Sequence, residues 1–266
     1  MKAMMQDSKV LVIDNLSIEF GGLKAVSNFS MEMHKKELIG LIGPNGAGKT
    51  TIFNLITGLY RPTSGTIQLM GEDITDLVTH KRVQKGIART FQNIRLFKQL
   101  TVLENVKVAY HNNMSYGLFS SIFRTKKYWK EENEVHQKAQ EILEVLGLLE
   151  YKDELAQNLP YGKQRKLEIA RALATFPRLL CLDEPAAGMN PHETEELMKT
   201  IKIIQEKFET TILLIEHDMK FVMGICDRIY VLNFGELIAE GVPLEIQKNP
   251  EVIKAYLGER RNGRGK

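Results

Sequence analysis

Gly43-Pro44-Asn45-Gly46-Ala47-Gly48-Lys49-Thr50-Thr51 fits G-x-x-x-x-G-K-[ST], the pattern of a loop that holds phosphate. Each residue type has a physical reason to be there. Glycines let the backbone curl back on itself, so that several N–H groups aim at one anion. Lys49 adds a point charge that can reach the outer phosphates of a nucleotide. The Thr50 hydroxyl suits Mg²⁺, and the following helix directs its N-terminus at the phosphates. The flanks agree. Glu37-Leu38-Ile39-Gly40-Leu41-Ile42 is a short apolar run that predicts a buried strand. Ile52-Phe53-Asn54-Leu55-Ile56-Thr57 is helical in pattern and stopped by Gly58. A chance glycine-rich turn has no reason to sit between such a strand and such a helix, so all nine residues predict a nucleotide site.

Upstream, Val10 to Phe20 alternates over its second half, with Leu16, Ile18 and Phe20 on one face. Gly21-Gly22 makes a turn, and Phe29, Met31 and Met33 alternate again. These predict antiparallel strands with one wet face. Thr66 to Gly71 predicts another strand, entered from the turn Pro62-Thr63-Ser64-Gly65. Downstream, His80 to Lys85 is a basic helical turn ended by Gly86, and Ile87 to Gln92 has strand character. Thr101-Val102-Leu103-Glu104 is a capping box. Val135, Ala139, Ile142, Leu143 and Leu146 recur at helical spacing up to Gly147, and Tyr161, Leu167, Ala170 and Leu173 mark a second helix. Residues 93–170 therefore predict an all-helical insert between the halves of an α/β core. Beyond it come an apolar strand over Arg178 to Asp183, a helix start at Asn190-Pro191-His192-Glu193, and a strand over Thr211 to Ile215. A hairpin over Ile229 to Ala239 follows, then a last helix from Asn249-Pro250 to Gly258. One domain is expected over residues 8–258. The basic tail, residues 259–266, is expected to be a solvated disordered end.

Asp183 and Glu184 close an apolar strand downstream of the loop. That is where a phosphate-loop enzyme holds Mg²⁺ from a second side, which assigns Asp183 to the metal and Glu184, as base, to the attacking water. His217 closes the next apolar strand. Strand ends gather at one edge of a doubly wound core, so His217 is expected at the γ-phosphate. Leu159-Pro160-Tyr161-Gly162-Lys163-Gln164-Arg165 opens the second helix of the insert, with Pro160 expected at the first helical position, where its missing N–H costs nothing. By itself this stretch is an ordinary helix start, with amides that could meet an anion.

The chain has 266 residues, 43% hydrophobic, enough for one large core. Its 36 basic and 33 acidic residues nearly balance at +3, which gives no global signal for nucleic acid. Cys181 and Cys226 lie in apolar runs and cannot build a disulfide framework, so buried thiols in a reducing compartment are expected. The first ten residues lack an apolar signal region, and no run of 18 apolar residues exists to span a bilayer, so a cytosolic, soluble protein is expected.

Together, Gly43 to Thr51, Gln92, Leu159 to Gln164, Leu179 to Glu184, Ala186-Ala187-Gly188-Met189-Asn190 and His217 resemble an ABC-type ATPase subunit, in order and context, over nearly the whole chain. Arg89-Thr90-Phe91-Gln92, the run Asp183 to Pro191 and the ending Asn249 to Glu259 look more closely like the ATP-binding subunits of branched-chain amino-acid importers. The resemblance implies a P-loop, RecA-like α/β core with an antiparallel β subdomain and an inserted all-helical subdomain. It implies that Phe20 stacks on adenine with Ala25 nearby. It implies that Gln92 reaches Mg²⁺ and the water and couples to the transporter. Leu159 to Gln164 would complete the ATP site of a second subunit, head to tail, and Ala187 to Asn190 would form the D-loop beside it. The cofactors implied are ATP and Mg²⁺. The partners implied are membrane permease subunits, a second ATPase subunit (identical or paralogous) and, indirectly, an extracytoplasmic solute-binding protein, with a peripheral place on the cytoplasmic face of the inner membrane. Asn190 stands where many family members have Asp, and Pro160 and Tyr161 where many have Ser and Gly.

Two other readings meet specific obstacles. A soluble ABC-type ATPase acting on ribosomes or DNA usually carries two ATPase units, and one phosphate loop is present here. A small-molecule kinase needs an acceptor pocket, whereas Asp183, Glu184 and His217 suit water as acceptor. Leu118, Phe119, Ile122 and Phe123, flanked by Arg124, Lys126, Lys127 and Lys130, suit a membrane-surface or docking segment and equally a helix packed within the lobe.

Overall fold

Leu38–Ile42 is buried at all five positions, as are Leu179–Asp183 and Thr211–Ile215. Continuous burial is the mark of parallel strands covered on both faces. The computed structural model describes residues 9–110 and 126–257. The amphipathic stretch around residues 116–125, Gly258 and the basic tail lie outside the described residues.

The described chain divides into two compact units, residues 1–82 with 211–266, and residues 83–210. In the first, β1 (Lys9–Phe20), β2 (Leu23–His34), β4 (Ser64–Leu69) and β5 (Glu72–Asp73) form an antiparallel sheet in the order β2-β1-β4-β5. The Gly21-Gly22 turn has φ of 54° and 89°, open only cheaply to glycine. Simple alternation fails in the middle of β1. Asn15 takes φ 48° where the register shifts, so Ile13 and Leu16, three apart, both face the core. The same unit holds β3 (Leu38–Ile42), parallel to β8 (Thr211–Ile215) and β9 (Arg228–Asn233), with β10 (Glu236–Gly241) antiparallel to β9 across a two-residue Phe234-Gly235 turn. Helix α1 (Lys49–Ile56) leaves the end of β3, and α2 (Thr79–Gln84) follows β5.

The second unit pairs β6 (Ile87–Arg89) with β7 (Leu179–Asp183) in parallel and, among the described residues, packs the α-helices α3 (Val102–Tyr110), α4 (Lys126–Val145), α5 (Tyr161–Leu173) and α6 (Pro191–Lys207). Val106, Ala139, Ile142, Leu143, Leu167 and Ala170 are buried among them. The capping box holds: Glu104 N–H donates to Thr101 Oγ1 at 3.1 Å and Thr101 N–H to Glu104 Oε2 at 2.8 Å. This unit is wider than the 93–170 insert, because β6, β7 and α6 cluster with the helices.

Several elements differ from expectation. The strand over 87–92 stops at Arg89, because the Phe91 amide is taken by the Glu168 carboxylate at 3.3 Å instead of a ladder partner. β4 begins at Ser64, inside the expected turn. Two short helices that the sequence pattern does not predict, α7 (Met219–Ile225) and α8 (Pro243–Lys248), precede the last one, α9 (Pro250–Leu257). Asp218 starts α7 by accepting from the amides of Lys220 and Phe221.

Candidate functional site

The loop between β3 and α1 is shaped by contacts that only glycine permits at two points. Gly43 has φ 152°, and a Cβ there would stand 2.2 Å from the Leu232 carbonyl oxygen. Gly48 has φ 103°, and a Cβ would meet the Ala25 oxygen at 2.8 Å. Open space surrounds the Cβ position of Gly46 instead. The buried Lys49 ammonium lies within the curl, donating to the carbonyls of Gly43 at 2.7 Å and Pro44 at 3.0 Å. α1 has no side-chain cap, so its first amides are turned toward the loop without a competing acceptor from that source.

Gly235, in the β9–β10 turn, was not singled out from the sequence, yet it fastens this loop. Its N–H donates to Ala47 O at 2.9 Å and its carbonyl accepts from Ser27 N–H at 2.9 Å. A Cβ on it would lie 2.6 Å from the Ala25 oxygen. The main chain of Ala25 thus meets both Gly48 and Gly235. Phe20, at the end of β1, is exposed and meets the edge of the Tyr60 ring at 5.2 Å. Tyr60, 40 residues on in a loop, is therefore an aromatic neighbour of Phe20 that no local sequence signal marks. His217 is exposed two residues past β8, and Leu41 stands opposite Ile215 in the parallel register, so His217 and Gly43 leave the same end of this sheet.

In the second unit, β7 delivers Asp183 buried and Glu184 partly exposed. Arg89 Nη2 pairs with Asp183 Oδ2 at 2.6 Å, and the Asp183 amide donates to Thr90 Oγ1 at 3.2 Å. Gln92 Nε2 donates to Glu184 Oε2 at 2.8 Å, so the two residues assigned to the water are already in contact. Below them, burial pushes the Cys181 thiol up to about 12, against a smaller opposing pull from Arg89. Arg165, wholly buried in α5, donates to Phe91 O at 2.5 Å and to Gln92 O and Glu184 O at 2.9 Å each. Arg89 and Arg165 lie inside quoted motifs but carry no local signal for these long-range bonds.

The start of α5 corrects one expectation. Pro160 is the N-cap, with φ −54° and ψ 152°, and not the first helical residue. It offers no side-chain cap, while its carbonyl accepts from Gln164 N–H at 3.0 Å. The amides of Tyr161, Gly162 and Lys163 therefore lead the helix. Tyr161 covers Gly188 (φ 78°), whose Cβ position is 3.1 Å from the ring, so this helix start and the segment Ala187 to Asn190 share one face. Gly162 abuts the Glu193 carboxylate, 2.8 Å from its Cβ position, and that carboxylate completes the capping box of α6 with Asn190. The Lys163 ammonium lies 3.4 Å from the centre of the Tyr151 ring. Gln164 Nε2 donates to Leu159 O at 2.8 Å.

A phosphate loop on one unit, two carboxylates with a bonded glutamine on the other, and an uncapped helix start beside a tight glycine turn make the parts of an ATP-binding cassette. Comparison agrees. The family model of the ABC transporter matches residues 26–187, and that of the branched-chain amino acid ATP-binding cassette transporter matches residues 236–261. The chain belongs to the ABC transporter family, as one of its ATP-binding ATPase subunits. It is 51% identical over 94% of its length, and 98% of the relative's, to the high-affinity branched-chain amino acid transport ATP-binding protein LivG of Salmonella typhimurium. It is 48% identical, with the same coverage, to the protein BraF, of the same description, from Pseudomonas aeruginosa. Among solved structures, the ADP conformation of an ATP-binding cassette of an ABC transporter matches at TM-score 0.82 and 34% identity, covering 95% of this chain and 100% of that one.

Proposed function

We propose that this chain powers an importer for branched-chain or other hydrophobic amino acids, from the cytoplasmic face of the inner membrane. Two copies, or one copy and a paralogue, close head to tail over two ATP. Gly43 to Thr51 hold the phosphates of one ATP, with Lys49 exchanging its carbonyl partners for phosphate oxygens. Phe20 and Ala25 flank the base. Leu159 to Gln164 of the second subunit present the leading amides of α5 to the γ-phosphate, and Ala187 to Asn190 line the junction. Glu184 orients and deprotonates the attacking water, held by Gln92, and His217 steadies the γ-phosphate. Thr50, Gln92 and Asp183 offer hydroxyl, amide and carboxylate oxygens, the hard donors Mg²⁺ takes, and the buried Asp183 carboxylate already faces one cation in Arg89. Bound there, Mg²⁺ would neutralise charge on the outer phosphates. The whole of residues 8–258 acts as one nucleotide-binding domain, with 93–170 as its helical subdomain and 259–266 as a tail.

The observation that carries this reading is the Gln92–Glu184 hydrogen bond, which ties the base to a loop at the rim of a cavity of about 300 Å³. Phe91, Arg95, Ala109, Arg171 and Thr175 line that cavity. It suits a short segment of the permease, and through it docking reaches the base. Among the described residues no helix is long and apolar enough to cross a membrane, so the channel would come from permease subunits and the solute from a solute-binding protein. The reading as a soluble ATPase on ribosomes or DNA gains nothing from relatives that are transport proteins along 94% of the chain. Proteoliposomes carrying the permease pair, this chain and its ATPase partner should accumulate leucine only with internal ATP and external binding protein. Uptake of another solute class under those conditions would overturn the amino-acid assignment and leave the ATPase standing.

A further inference from the structure

Glu184 has φ 46°, in the left-handed region that a non-glycine residue enters only when its surroundings hold it there. Two donors meet its carbonyl: Ala187 N–H at 3.1 Å, within its own turn, and Arg165 Nη2 at 2.9 Å, from α5. The same Nη2 donates to Gln92 O at 2.9 Å, and Nη1 donates to Phe91 O and, at 2.9 Å, to Glu168 Oε2. Along one face of α5 the pattern repeats each turn. Glu168 Oε1 accepts from the amides of Phe91 and Arg95, and Arg171 donates to the Arg95 carbonyl. The helix that opens at the segment facing the second subunit is thus bonded over three successive turns to the main chain of residues 91–95. Its first rung also reaches the residue assigned as base.

We infer that Arg165 is a positioning residue for hydrolysis: its guanidinium fork fixes the main chain of Glu184 and of Gln92 to helix α5, so that loop, base and helix start move together. This rests on the assignment of Glu184 as base made above. The planar fork is what the site uses, since one nitrogen serves two carbonyls while the other serves a carbonyl and a carboxylate; an ammonium of the same charge cannot hold that arrangement. A displacement of residues 91–95 by a docked permease segment would therefore be delivered to Glu184 and to the start of α5 at once. Small errors in placing a catalytic group far outweigh their size in rate.

The test is Arg165→Lys in the full chain, with steady-state ATP hydrolysis and amide hydrogen exchange read on the same protein. The expected result is a fall in kcat of about tenfold or more with KM for ATP changed by less than about twofold. Exchange should be faster in peptides covering residues 91–95 and 184–188, and unchanged in the body of α5 and in β3 and α1. Turnover within about twofold of wild type, or a loss of turnover with exchange raised throughout the unit, would overturn the positioning role. Should the lysine variant not fold, Glu168→Gln isosterically weakens the pair that holds Arg165 and the next rung, to the amides of Phe91 and Arg95. It should give the same local exchange pattern with a smaller fall in kcat, and wild-type values for both would overturn the proposal. Glu184→Gln, measured alongside, separates the two assignments: wild-type turnover there would remove Glu184 as base, whereas the exchange result at 184–188 in Arg165→Lys judges the tether on its own.

Discussion

Asp183 and Cys181 are two residues apart on β7, and burial acts on them in different ways. The Asp183 carboxylate is matched by Arg89 at 2.6 Å. Asp183→Asn should raise the Mg²⁺ concentration for half-maximal hydrolysis about tenfold or more while ATP still binds, which a Mg²⁺ titration of turnover checks. The Cys181 thiol has no such match and is pushed from 9.0 to about 12 by burial. Its folded value lies above its unfolded one, so its stabilising contribution is whole below about pH 9 and is lost as pH rises toward 12. Wild-type stability should accordingly fall more steeply over that range than that of Cys181→Ala, by at most about 1.4 kcal/mol per pH unit, in denaturant melts at several pH values. Lys49, Asp183 and Glu184 could be read from sequence because each has a fixed place in a short motif. Arg89, Arg165, Tyr60 and Gly235 could not, because their meaning lies in partners up to 210 residues away in the chain, as for Gly235 with Ala25.

Helix α1 shows how an element can depend on a residue that reads as surface. Arg82, in the basic turn over residues 80–85, is buried, with Nη1 donating to Leu55 O and Ile56 O at 2.6 and 2.8 Å and further bonds to the carbonyls of Leu77 and Thr75. It therefore caps the C-terminal turn of the phosphate-loop helix. Desolvation draws its guanidinium down to about 10, still charged at neutral pH. Arg82→Ala should cost about 3 kcal/mol or more in equilibrium unfolding, since several buried carbonyls lose their donor together. Element types were legible wherever period and punctuation agreed, as in β3, α1 and the capped α6. They were lost where a side chain replaced a ladder bond at Phe91, where Asn15 bulged β1, and in the short helices α7 and α8, too brief for a period to show. At α5, Pro160→Ser should leave hydrolysis within a few-fold of wild type, because a proline N-cap contributes neither side chain nor amide and the three leading amides remain. Steady-state turnover decides it, and a loss beyond tenfold would show that the proline itself shapes the helix start.

At the scale of the whole molecule, the residues proposed for hydrolysis are divided between the two units: the phosphate loop and His217 in one, Asp183, Glu184, Gln92 and the start of α5 in the other. Charge reversal at Lys98, exposed on the loop after Gln92, should uncouple transport in proteoliposomes while the isolated subunit hydrolyses ATP normally. Arg95 is a poorer probe, since its guanidinium covers the Phe91 ring at 4.2 Å and its main chain is bonded to Glu168 and Arg171. In the proposed cycle two such chains close on ATP, each completing the other's site with α5, and Glu184 then reopens them by hydrolysis. Glu184→Gln keeps the shape and the Gln92 contact while removing the base, so it isolates closure from turnover. Light scattering on a sizing column, with and without ATP and Mg²⁺, should show a nucleotide-dependent shift from one chain to two for this variant. A protein that binds ATP with normal affinity yet stays a single chain, or that hydrolyses at the wild-type rate, would contradict the account.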